Sequence, residues 1–434
     1  MSTPGRPKGE YRSAKHEDTP VSTANSVSAS ERTALNGLGR LMTMAFEGID
    51  LGPLAAHLIE RAAMNDADAE AVMDLSTILQ LQGLRDLGVA TQAHALLTKR
   101  LYELTSPRVP ALRLLAIMLP GDLMTNTPLE FLIAESDVSL SMLYLAPDEP
   151  MPTKLPPHDA VFIAVSHSER ARPVLDLLAA AVPGWPKHVI NSPARIPQTS
   201  RTQAFRVLCG APGIYIPATV EISRDSLSSI ASGELALDAV LDDGTLPLIV
   251  RPIDSHAGQG LQRVASLREI RAYLDAATAD GFFISPFIDY RDGDGLFRKY
   301  RIVLIDGIAY PGHMGVSEDW MIHYLNAGMA DSAAKRAEEK QFMEDFKVDF
   351  GQRHAIALRS ISERFGLDYL VIDCGETADG KLLVFEVCTG AVVHAMDPVD
   401  IFPYKRARMD EVFAAFRALL GRSVSIDSNS AQHA

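Results

Sequence analysis

Between Ser106 and Pro110 the hydrophobic period of this chain changes, and the change limits what each part can become. Before it, Leu75, Ile78, Leu79 and Leu81, then Leu87, Ala90, Ala93, Leu96, Leu97 and Leu101, recur at helical spacing. Gly83 and Gly88 punctuate two helices of similar length, which predicts a helical hairpin within residues 31–106. After it, residues 112–119, 140–145 and 160–165 are short apolar runs, with helical segments at 129–135 and 172–182. Strand alternating with helix predicts a small Rossmann-like parallel sheet over residues 107–197. No GxGxxG follows its strands, so a dinucleotide fingerprint is lacking.

From residue 198 to 420 the pattern is α+β, with helices predicted at 202–208, 267–278, 333–350, 354–365 and 410–420. The run 333–347 alternates in charge sign, as a solvated helix face does. With 434 residues, the length allows about three domains. Residues 1–30, almost without large apolar side chains, and residues 421–434 are expected to be disordered tails. Residues 69–104 are similar to a single degenerate tetratricopeptide-type repeat, and a plain helical subdomain fits them equally.

A formal charge of −14 disfavours broad nucleic-acid binding. Three cysteines without a CxxC pair argue against a disulfide scaffold and for a reducing cytoplasm. The densest early apolar run, residues 112–119, is too short to span a bilayer, and no targeting signal is visible, so no membrane partner is expected.

The chemistry gathers in two hairpins and a loop. Residues 369–373 and 382–388 are apolar runs separated by Asp379-Gly380, a two-residue turn signal. With that dipeptide at the turn centre, Asp373 lies opposite Glu386. Carboxylates so placed repel and need a counter-charge: a hard divalent cation, or Arg or Lys from elsewhere. Strand alternation puts Val384, Glu386 and Cys388 on one face, and a thiol is a poor ligand for magnesium. Upstream, residues 246–251 run into a loop with small residues at Ala257, Gly258 and Gly260, where backbone N–H groups can approach an anion beside Arg251. In the other hairpin, around Asp306-Gly307, Lys299 and Arg301 share a strand face. By the same parity His313 points with Tyr300, away from Arg301, as a packed or capping histidine, unless a bulge intervenes. Residues 320–329, with His323 and Tyr324, fit a substrate loop or an ordinary amphipathic segment.

Taken in order, residues 111–420 resemble an ATP-grasp enzyme, most closely the glutathione-synthetase and ribosomal-protein glutamate-ligase branch. The resemblance rests on Ile249, Val250, Arg251 and Pro252 with the loop His256, Ala257, Gly258, Gln259 and Gly260; on the hinge run Phe287, Ile288 and Asp289; on Arg301; and on Asp373 with Glu386 and Cys388. Arg251 stands where the family usually has Lys, Pro286 where an acid is common, and Cys388 where it has Asn. No Lys of the family's earlier ATP-binding position occurs in residues 201–206, only arginines.

The resemblance implies an α/β fold in which two α+β subdomains clamp ATP behind the helical and Rossmann-like parts. It implies ATP- and Mg²⁺- (or Mn²⁺-) dependent carboxylate–amine (or –thiol) ligation through an acylphosphate. Lys299 and Arg301 would be catalytic, residues 251, 256–260 and 287–289 would bind ATP, and Asp373, Glu386 and Cys388 would hold metal. A small-molecule kinase and a degenerate ATP-binding regulator with a helical interface are the alternatives. The expected partners are carboxylate and amine substrates, with a peptide or protein at the helical N-terminus and a homodimer both left open.

Overall fold

The computed structural model describes residues 34–430 except 147–151, 153, 186, 243, 254, 256 and 257. Helices α1 (Gly37–Phe46), α2 (Gly52–Met64), α3 (Ala69–Leu81) and α4 (Arg85–Thr98) come first. Asp68 caps α3 by accepting from the Ala71 N–H at 3.0 Å. Gly83, at φ +83°, turns the chain into α4. Gly88 lies inside α4 instead of at its end: a Cβ there would stand 2.4 Å from the Gln80 side chain, so its role is close packing of α3 on α4.

Strand β1 (Leu101–Leu104) begins the first sheet, six residues before the boundary expected from the proline-rich break. There follow β2 (Leu112–Met118), α5 (Leu129–Leu132), β3 (Val138–Tyr144), β4 (Ala160–Ile163), α6 (Arg172–Ala181) and β5 (Val189–Ile190). The order is β1-β3-β2-β4-β5, parallel except for the antiparallel edge β1. This is the expected Rossmann-like layer.

Helix α7 (Arg201–Leu208), β6 (Ile214–Tyr215), β7 (Val220–Ser223), α8 (Arg224–Ser232), β8 (Leu248–Pro252), β9 (Gln262–Val264), α9 (Leu267–Ala276) and β10 (Gly281–Pro286) follow. Strands β7-β10-β8-β9 form an antiparallel sheet whose core, around Val250, Ile270 and Phe282, is its own. The last part holds β11 (Phe297–Ile305), β12 (Ile308–Ser317), α10 (Ala333–Asp345), α11 (Phe350–Arg353), α12 (Ala355–Phe365), β13 (Tyr369–Glu376), β14 (Leu382–Cys388) and α13 (Lys405–Ser430). Its sheet runs β12-β11-β13-β14-β6. Helix α13 extends to Ser430, into the segment expected as a tail; the other expected tail, residues 1–30, lies outside the described residues.

The first and third sheets share one core. Phe162 of β4, Tyr369 of β13 and Phe416 of α13 meet with ring centroids 5.6–6.1 Å apart. Beside them Asn191, just after β5 and at φ +61°, exchanges side-chain hydrogen bonds with the backbone of Tyr369 at 2.8 and 3.0 Å. The fold is mixed α/β, as expected. Among the described residues no helix is long and apolar enough to cross a membrane.

Candidate active site

A cleft of about 770 Å³ lies between the second and third sheets and reaches the loops after β4 and the end of α1. Its centre is the β13–β14 pair. Asp373 is opposite Glu386, as expected, but by a different route. The turn is a three-residue loop closed between Thr377 and Lys381, with Gly380 at φ +78°, which shifts the register by one. A bulge at Phe385 shifts it back, since Cys374 pairs with Val384 while Asp373 pairs with Glu386. Val384 therefore leaves the row that Glu386 and Cys388 share. Gly375 makes room for the bulge, because a Cβ there would stand 3.0 Å from the Phe385 ring.

Both carboxylates already hold cations. Asp373 accepts from Arg301 at 2.8 and 3.0 Å and pairs with Lys299 at 2.8 Å. Burial would raise its carboxyl, but the Arg301 and Lys299 charges outweigh that and hold it far below the usual range. Glu386 pairs with Arg201 at 2.8 Å, and Arg201 likewise keeps it low against burial. Ser200 caps α7 and so sets Arg201 in its first turn. Burial, then Arg201, pulls the Arg251 guanidinium down to about 10. Arg251 itself is bonded to the Ser255 hydroxyl and carbonyl.

His313 corrects the parity argument. A bulge at Gly312 sets it opposite Arg301, where it lines the cleft and lies 4.6 Å from the Tyr324 ring. A Cβ at residue 312 would stand 3.0 Å from the Arg301 carbonyl, so the glycine was the available signal. Burial and Arg301 depress the His313 pKa far below its ordinary value, leaving the ring neutral. Residues Trp320, Met321, Ile322, His323 and Tyr324 also line the cleft.

Of the expected nucleotide residues, Arg251, Gly258, Phe287 and Ile288 line the cleft. Gly258, at φ +72°, approaches His323 so closely that a Cβ would stand 2.6 Å from Nε2. Gln259 and Gly260 are exposed and lie outside the lining, Gly260 serving a turn against Pro252. Asp289 is also absent from it, because it turns to Arg291 at 2.9 Å. His256 and Ala257 lie outside the described residues. Phe287 meets the Trp320 edge at 5.6 Å, and Tyr290 meets Phe385 at 5.0 Å, so one end of the cleft is apolar and aromatic.

For metal, the expected triad does not assemble: among the described residues no three His, Cys, Asp or Glu side chains are placed to hold an ion. Burial, with Glu386 and Asp373 nearby, pushes the Cys388 thiol up to about 12, so it stays protonated and does not fit. Asp373 and Glu386 are the hard oxygen donors that magnesium takes, and each would exchange a contact with Lys299 or Arg201 to hold it. Sequence reasoning missed Arg201 as a partner of Glu386, and it missed Met42, Ala45 and Phe46 of α1, which line the cleft from the opposite end of the chain. No periodicity links residues so far apart.

No family model matches this chain, and no curated protein matches it. Among solved structures it is similar to D-alanine–D-alanine ligase from Bacillus anthracis, at 15% identity over 74% of this chain and 100% of that one, TM-score 0.44. It is similar also to the D-alanine–D-alanine ligase of Coxiella burnetii, at 13% identity over 74% of this chain and 97% of that one, TM-score 0.45. The VanG D-Ala:D-Ser ligase of Enterococcus faecalis aligns at 14% identity over 71% of this chain and 99% of that one, TM-score 0.44.

Proposed function

We propose that the protein is an ATP-dependent carboxylate–amine ligase of the ATP-grasp type. The observation that carries this reading is the charge balance at the cleft centre. Arg201, Arg251, Lys299 and Arg301 surround Asp373 and Glu386; of the other acids in the lining Glu169 is held by Arg172 and Asp397 by Lys405, so with Glu221 counted one positive charge is left for an anion. Beside them, Ile249, Ile288 and Phe385 offer apolar surface of the kind a purine base takes. A polyphosphate joined to a flat base satisfies both halves.

In this reading the γ-phosphoryl group passes to a substrate carboxylate, giving an acylphosphate and ADP. An amine then attacks the acyl carbon, loses a proton and expels inorganic phosphate. Lys299, Arg301, Arg201 and Arg251 hold the phosphate oxygens and the charge that develops on them. Magnesium, when held by Asp373 and Glu386, would neutralise phosphate charge. The neutral His313 and His323 supply ring nitrogens without adding charge.

The ion pairing of both carboxylates, with a protonated Cys388, favours a second reading: nucleotide binding without turnover. ADP release that depends on an added amine separates the two. For the nucleotide site itself, millimolar ATP with magnesium should raise the thermal midpoint, since a ligand that binds only the folded state stabilises it. Arg251→Ala should reduce that rise. No rise with any nucleotide in the wild-type protein removes the proposal.

A further inference from the structure

Helix α1 belongs to the segment that sequence sets apart as a helical appendage, yet its last turn enters the cleft. Met42, Ala45 and Phe46 line it there. The helix is pinned at its start: Asp74 accepts from the Asn36 and Gly37 N–H groups at 2.8 and 3.0 Å, and Glu130 accepts from the Gly39 N–H at 2.6 Å. Leu41 is fully buried between these anchors and the cleft. The position of Phe46 is therefore set by the fold.

Across from it stands His394, with its ring 5.9 Å from Phe46. The Met396 N–H donates to His394 Nδ1 at 3.1 Å, so in the neutral ring the proton sits on Nε2. Met124 and Met396 complete a wall with three methionines, a surface that moulds itself to apolar groups. Phe46 keeps 37% of its surface exposed, and it lines the cleft.

This wall is close to the phosphate centre. Arg301 donates to the Val392 carbonyl at 3.2 Å, and His394 follows two residues later, a span of roughly 7 Å at most. A carboxylate on Lys299 and Arg301 therefore brings the group behind it against α1.

We propose that α1 forms the side-chain subsite of the carboxylate substrate, with Phe46, Met42 and His394 selecting a carboxylic acid that bears a large apolar group. The inference rests on the ligase reading and adds the substrate class. It also gives the helical segment a place in the site.

The test is calorimetric titration of the full chain, held with magnesium and a non-hydrolysable ATP analogue, against acetate, glycine, succinate, leucine, phenylalanine and 3-phenylpropionate. Leucine, phenylalanine and 3-phenylpropionate should bind more tightly than acetate, glycine and succinate. Phe46→Ala should lose about tenfold of that preference, and Phe46→Leu should keep most of it. The analogue's own thermal shift should persist in both variants. If the analogue binds but apolar acids gain nothing, or Phe46→Ala keeps the full preference, the subsite is overturned while the nucleotide reading stands. If the analogue gives no shift in wild-type protein, both fall.

Discussion

Asp373 and Glu386 were legible as a facing pair from the spacing of one hairpin, and the need for counter-charge followed from Coulomb repulsion. Which counter-charge was not legible. Arg201 lies 185 residues from Glu386 in sequence, and only the folded chain brings them together. The consequence reverses a simple expectation that removing one carboxylate relieves strain. Asp373→Asn should destabilise the protein by about 3–5 kcal/mol, because Lys299 and Arg301 would lose a buried partner. Glu386→Gln, at a half-exposed pair, should cost little stability and abolish nucleotide-dependent turnover. Urea unfolding beside an ADP-release assay checks both. A different carboxylate governs the response to pH. Burial raises Glu130 from 4.5 to about 7, and Asp74 is raised by the same cause. Below pH 4.5 Glu130 is protonated whether folded or unfolded. Between 4.5 and 7 only the folded state keeps the proton, so stability should fall as pH rises through that window. Asp373 acts with the opposite sign, its contribution being lost as pH drops below the ordinary carboxylate range. Glu130→Gln should flatten the urea midpoint between pH 4.5 and 7. An unchanged slope would show that Glu130 does not titrate there.

At the scale of elements, periodicity gave most strands and helices, and turn chemistry gave both hairpins. Asp306-Gly307 is the two-residue turn it looks like, with φ +50° and +78°. Asp379-Gly380 is not, and the facing pair was right because the one-residue error in the loop is cancelled by the bulge at Phe385. Bulges depend on who packs behind the strand, which the sequence of the strand does not state. Parity thus failed at His313 and Val384, while Lys299 and Arg301, on the same side of the Gly312 bulge, kept theirs. Strand β7 and helix α8 were not foreseen, their short apolar content being concealed among polar residues. The phosphate-loop expectation can be checked at Gly258. Gly258→Ala meets a left-handed backbone and the His323 ring together, so it should weaken the ATP-induced thermal shift. Gly293→Ala, where an added Cβ meets nothing, should leave it unchanged. Equal shifts in the two variants would detach this loop from the nucleotide.

For the whole molecule, the cores divide differently from the order of the chain. The second sheet has its own core, the first and third share one through Phe162, Tyr369 and Phe416, and helices α1–α3 hold a small third one around Leu41, Leu58 and Ile78. Calorimetry should therefore resolve more than one transition, and Phe416→Ala should destabilise the shared core by about 3–5 kcal/mol while sparing the transition of the second sheet. A single transition lowered as a whole would mean that the cores unfold together. Helix α13 strengthens the shared unit, with Arg417 bound to Asp137 beside β3 and Lys405 to the fully buried Glu339. The sequence set residues 107–197 apart from 198–420; it did not show that the first sheet shares its core with the third, across the second. The reciprocal bonds between Asn191 and Tyr369 carry that fact into the cell. These residues are 178 positions apart, so at 5–20 residues per second a ribosome needs roughly 9 to 36 seconds to deliver the second after the first. Throughout that interval the nascent first sheet has an open flank, the surface that β13 and α13 later cover. Synonymous codons that slow translation between residues 191 and 369 should lengthen that exposure, and with it the chance of aggregation during synthesis.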